Sequence, residues 1–228
     1  MVDAVLLEWD GVLADTGPAR REALLCALAD EGVAWSATAY DADCADLDLQ
    51  SAARFAVAQV RGEDLALADL VALRAGRAFV ERLSHGISLA VGAADFLAAC
   101  EPRARLAIVT RANRSETDLF LRVSAIDGMM ACIFTADDVL RPPPAPELFE
   151  EALQHLARSR GTRREFSVAL VASTAAIRAA RAAGIHVLAV GAPAHVALDA
   201  DGAVSDLRDV TVPALASLVG ITPTEQRS

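Results

Sequence analysis

The chain has 228 residues, of which 54% are hydrophobic, and a formal net charge of −10. It can bury a substantial core, and its acidic balance disfavours nucleic acid and anionic membrane surfaces, which need a basic footprint. No apolar run reaches the length of a membrane span, and Asp3, Glu8 and Asp10 interrupt any leader-like pattern, so a cytoplasmic location is the expectation.

Val5 to Thr16 (VLLEWDGVLADT) reads as a buried strand running into a tight turn at Gly11. Side chains alternate along a strand, so Glu8 and Asp10 point the same way. Two carboxylates held together at the end of a buried strand are costly without a cation or a substrate charge. This stretch is therefore the first candidate site. A helix follows, with Pro18 in its first turn and Gly32 as its stop. The acidic run Asp41 to Asp48 has Asp46 and Ala52 where a calcium loop needs Gly and Glu, so it reads as a solvated turn or helix start. Ser51–Val60 and Leu65–Leu83 read as helices, which leaves the chain from Thr16 to about Ser88 without a strand.

The pattern then alternates. Helix Ala93–Cys100 precedes a strand at Leu106–Thr110, and a helical stretch at Leu119–Val123 precedes a strand at Ala131–Thr135. A helix over Pro146–Ala157, a strand at Ser167–Val171, a helix over Ala175–Ala183 closed by Gly184, and a strand at Val187–Val190 complete the series. This order indicates a doubly wound parallel α/β sheet. Asp201-Gly202 suggests a small hairpin, and Gly220 to Ser228 a polar tail. Cys26, Cys44, Cys100 and Cys132 form no C-x-x-C pair and read as free thiols, and the four histidines show no ligand spacing.

Val5 to Thr16 resembles motif I of the haloacid dehalogenase-like phosphatases, Asp-x-Asp-Gly-(Thr/Val)-Leu-x-Asp-(Thr/Ser). Asp10, Gly11, Val12, Leu13, Asp15 and Thr16 match it, while Glu8 stands where the family's nucleophile is Asp. Ala131–Ala152 and Ala176–Val190 also follow family stretches. The helical block after the first strand is similar to the cap of the β-phosphoglucomutase and phosphoglycolate phosphatase branch. The resemblance implies a Rossmann-like core over 1–15 and 89–228 with an inserted α-helical cap over 16–88.

In that family an Asp attacks phosphorus, and a second Asp two residues on is the general acid/base. A Thr or Ser of motif II and a Lys of motif III hold the phosphoryl oxygens, and acids of motif IV complete a Mg2+ site. Such chemistry is mostly positioning and charge stabilisation. Carried over, the resemblance implies Glu8 at the nucleophile position, Asp10 as acid/base and Thr110 as the motif II residue. Metal binding would rest on Glu8, the backbone carbonyl of Asp10 and water, a weak set for Mg2+. Pro143 in LRPPPAPELF stands where the family has Lys, and all 21 basic residues of the chain are arginine. Arg111 and Arg141 are left as phosphate contacts, although a guanidinium does not reproduce a compact ammonium. Ala172 and Ser173 stand where the motif IV acids belong. The extra methylene of Glu8 moves its carboxylate by on the order of 1 Å, a misplacement that can cost roughly a hundredfold in rate.

Two functional readings result. One is a family member with a degenerate, inactive or weakly active phosphatase site that acts by binding a small phosphorylated molecule or a partner protein. The other is a Mg2+-dependent hydrolase of a small phosphate monoester, with Glu8 as nucleophile, Asp10 as general acid/base and an Arg in place of Lys. A dehalogenase is disfavoured, because the halide-cleaving branch lacks the second Asp of motif I, present here as Asp10. Arg20, Arg21, Arg54, Arg61, Arg74 and Arg77 of the helical block read as solvated helix faces in preference to anion contacts.

Overall fold

Ala4–Glu8 forms β1, buried along its whole length. That burial follows from its central place in a six-stranded sheet of order β3-β2-β1-β4-β5-β6. The other strands are β2 (Arg105–Val109), β3 (Met130–Phe134), β4 (Ser167–Val171), β5 (His186–Val190) and β6 (Gly202–Val204). All pairings are parallel, and Leu6 faces Ala107 of β2 on one side and Ala169 of β4 on the other. A parallel sheet covered on both faces explains why its strands read as continuous apolar runs. The computed structural model describes residues 1–220 apart from Asp46 and Ile87; the polar tail expected beyond Gly220 lies outside the described residues, as does Asp46 of the acidic run.

The helices are α1 (Gly17–Asp30), α2 (Ala37–Asp43), α3 (Leu49–Arg61), α4 (Leu65–Ser84), α5 (Ala93–Cys100), α6 (Arg114–Ser124), α7 (Glu147–Arg160), α8 (Thr174–Ala182), α9 (Ala194–Ala197) and α10 (Val212–Leu218). On one sheet face, Ala4, Leu6, Ala107, Val109, Ala169 and Val171 pack against Leu148, Phe149, Ala152 and Leu156 of α7 and Ala176, Ile177 and Ala180 of α8. Small strand residues opposite large helix residues let those helices sit close on the sheet. No helix among the described residues is long and apolar enough to cross a membrane.

The chain divides into two compact units, Met1–Asp15 with Ser88–Ser228, and Thr16–Ile87. In the second unit α1 packs on α4 and α3, around Leu24, Leu28, Ala53, Ala56, Val71, Ala75 and Phe79. Asp48 and Asp64 cap α3 and α4, each accepting a backbone N–H at 2.9 Å. The acidic run thus holds the end of α2 and a helix cap at Asp48, in place of a metal loop. Several arginines of this unit are engaged within it: Arg21 with Asp41, Arg54 with Asp69, Arg61 with the Gly32 carbonyl and Arg74 with Glu31, while Arg20 lies 4.5 Å from the centre of the Phe79 ring.

Near the C-terminus the structure departs from the hairpin expected at Asp201-Gly202. β6 runs parallel to β5 after the excursion through α9, pairing Leu188 with Gly202. Asp201 turns the chain by accepting the Val187 N–H at 2.8 Å, with its own N–H donated to the Val187 carbonyl at 2.9 Å. The Asp-Gly pair therefore opens an edge strand and does not fold one back.

Candidate active site

β1 is followed in the chain by a strand on one side of it, β2, and later by a strand on its other side, β4. The carboxyl ends of strands at such a reversal are where open α/β sheets place their ligands. Glu8 closes β1, Thr110 follows β2, and Ala172 and Ser173 follow β4, so topology assembles residues far apart in sequence.

The turn after β1 is tight. Leu13 and Ala14 both donate N–H groups to the Trp9 carbonyl at 3.0 Å, and Gly11 donates to the Ala14 carbonyl at 2.8 Å. Gly11 has φ +81°, and a Cβ there would come within 2.7 Å of the Ala172 side chain. Glycine is required twice over, by backbone conformation and by the close approach of the β4–α8 turn. Trp9, wholly buried, anchors the turn from below, its ring 4.9 Å from that of Phe120.

Glu8 is 4% exposed. Its Oε2 accepts the Ala172 N–H at 2.8 Å and the Ser173 N–H at 3.2 Å, and its Oε1 accepts the Ser173 hydroxyl at 2.9 Å. The same hydroxyl caps α8 by accepting the Ala176 N–H at 3.2 Å. Burial pushes the Glu8 carboxyl above the usual range. The Arg111 charge and the hydrogen bonds from Ala172 and Ser173 pull it down, and the nearby Asp10 charge pushes it further up. A hydroxyl can donate or accept, so the Ser173 link is available to either protonation state of Glu8.

Asp10 is half-buried at the rim of the turn, its backbone bridged to Ala14. Thr110 is 2% exposed, and its hydroxyl accepts the Ala112 N–H at 3.1 Å. Arg111 follows it, half-buried and felt electrostatically at Glu8. Arg141 is placed differently. It is exposed, and both its backbone N–H and its Nε donate to Glu147 in the first turn of α7, lowering the Glu147 carboxyl. Pro143 is buried, and its peptide bond to Pro144 is cis.

The structure therefore gathers Glu8 with Ser173 and the charges of Asp10 and Arg111, and commits Arg141 to Glu147. In the sequence Ser173 stands out as a missing acid, and nothing local marks it as the partner of Glu8. The available signal was a longer acid at 8 together with the absence of acids at 172 and 173.

Residues 5–190 match the family model described as haloacid dehalogenase-like hydrolase, and the chain belongs to that family. Among solved structures, CbbY from Rhodobacter sphaeroides in complex with phosphate is similar at 24% identity and TM-score 0.76, over 92% of this chain and 96% of that one. A CbbY mutant from the same organism in complex with xylulose-(1,5)bisphosphate is similar at 23% identity and TM-score 0.75, with the same coverage. β-Phosphoglucomutase from Clostridium difficile is similar at 14% identity and TM-score 0.79, over 96% of this chain and 98% of that one. No curated protein matches the sequence.

Phosphatases of this family generally use Mg2+, an ion that takes oxygen ligands in near-octahedral geometry. Here the groups facing Glu8 are two N–H donors and a hydroxyl. Among the described residues no three His, Cys, Asp or Glu side chains form a group that could hold a metal. These residues do not fit a resident Mg2+.

Proposed function

We propose that this protein binds a small phosphorylated molecule through a haloacid dehalogenase-like site whose hydrolytic chemistry is lost or nearly lost. One observation carries the reading. The carboxyl at the nucleophile position has both oxygens hydrogen-bonded to Ala172 and Ser173. An attacking carboxylate needs a lone pair aimed at phosphorus in line with the leaving group, and here that carboxyl is turned toward the start of α8. The absence of lysine removes the family's ammonium as well. Thr110 and Arg111 are the proposed anion contacts, and Arg141 joins them only by releasing Glu147. Complexes of the similar CbbY structures with phosphate and with xylulose-(1,5)bisphosphate support a phosphorylated ligand class.

The test is hydrolysis of a generic aryl phosphate with and without Mg2+, in the wild type and in Glu8→Gln. The expected result is no rate above background, or the same rate in both proteins. A Mg2+-dependent rate that disappears in Glu8→Gln makes Glu8 a working nucleophile and overturns the proposal.

A further inference from the structure

Resting on that reading, we propose that the site takes its phosphate-type anion without a divalent cation, because the Glu8–Ser173 link replaces the metal as the tie between the end of β1 and the start of α8. Regular pairing of β1 with β4 stops at Leu7 and Leu170, so Glu8 has no strand partner on that side, and its side chain reaches the turn beyond β4. Glu supplies one more C–C bond than Asp, about 1.5 Å of added reach. With it the carboxyl meets two backbone N–H groups and a hydroxyl on the facing turn.

The electrostatics agree with the geometry. Two acids on facing turns repel and need a cation between them. Here the facing turn carries no acid at 172 or 173, and Glu8 meets N–H groups at the start of a helix, where the backbone carries partial positive charge, with Asp10 and Arg111 as the nearby charges on its own side. The Ser173 hydroxyl donates to Glu8 and accepts from Ala176, so it joins the link to the cap of α8. Turn 9–14 approaches Ala172 so closely that a Cβ on Gly11 would stand 2.7 Å from its methyl group. The departures at 8, 172 and 173 thus fit one another as a single exchange: one longer acid and three donors in place of facing acids and a metal. Thr110 and Arg111, at the end of the adjacent strand, supply the anion contacts.

Two measurements on the intact protein test this. Calorimetric titration with inorganic phosphate is run in EDTA and in millimolar Mg2+, and thermal unfolding is followed with and without Mg2+. Wild type is expected to bind phosphate equally in both conditions and to show no Mg2+-dependent shift in melting temperature. The double variant Glu8→Asp/Ser173→Asp, which restores facing acids, is expected to gain a rise of about 3 °C once Mg2+ exceeds its Kd roughly tenfold. Phosphate binding that requires Mg2+, phosphate binding absent in both conditions, a Mg2+ shift in the wild type, or a folded double variant indifferent to Mg2+ each overturns the proposal. If the double variant does not fold, the wild-type titrations still decide. Metal-independent turnover that is lost in Glu8→Gln would defeat the binding-only reading and leave this proposal standing; Mg2+-dependent phosphate binding without turnover would do the reverse.

Discussion

The two ends of β1 carry an acid each, and each acid ties the strand to a flank of β4 by different physics. Asp3, just before β1, accepts from the backbone N–H of Arg163 at 3.1 Å and from its Nε and Nη2 at 2.9 and 3.1 Å. Glu8, the last residue of β1, reaches Ala172 and Ser173 beyond the other end of β4. The hydrogen bonds from Arg163 hold the Asp3 carboxyl below its ordinary value, whereas burial raises that of Glu8. A full cation at the surface favours the charged acid. Backbone N–H groups in a dry site hold an acid in place without repaying its desolvation. The first arrangement staples the sheet at its surface, and the second is a buried link built around one perturbed group.

The largest effect expected from breaking this symmetry is at Glu8. Glu8→Ala leaves three donors at the start of α8 without their acceptor, a loss of roughly 2–4 kcal/mol, read as a drop of several degrees in melting temperature at mildly acidic pH. Asp3→Asn removes one partner of an exposed ion pair, so it should lower the melting temperature by only a small part of that amount. Equal losses in the two variants would show that burial does not separate the two ends. The subtlest difference is in the pH response. Glu8 titrates above its ordinary 4.5, so its contribution to stability is present below that pH and is lost as pH rises through the raised value. Asp3 titrates below its ordinary 3.8, so its contribution is present above that pH and is lost as pH falls through the lowered value. Gln resembles the protonated form of Glu8, so melting curves of wild type and Glu8→Gln should separate as pH rises, with the wild type losing stability, whereas those of wild type and Asp3→Asn should converge as pH falls.

Much of the sheet was readable from the chain. Ser167–Val171 and Ala93–Cys100 have the bounds that their apolar patterns suggest, because a strand covered on both faces and a helix packed on the sheet leave strong local signals. β6 was not readable. Asp201-Gly202 carries the local chemistry of a hairpin turn, but the direction of the strand it opens depends on where the preceding segment has returned to. Arg141 was equally ambiguous: its position near motif III suggested a phosphate contact, and the facing Glu147 claims it in the structure.

By itself the sequence determined the alternation that builds a parallel sheet, the turn that follows Glu8, and the absence of lysine from any station of the site. Those are matters of residue type and local spacing. Tertiary structure alone decided what Glu8 does. Its partners lie 164 and 165 residues away, and they come within hydrogen-bond reach because the strand order sets β4 beside β1 with both carboxyl ends on the same edge. An extra methylene read in isolation is a displaced nucleophile; against the start of α8 it is the reach that closes a hydrogen-bonded link.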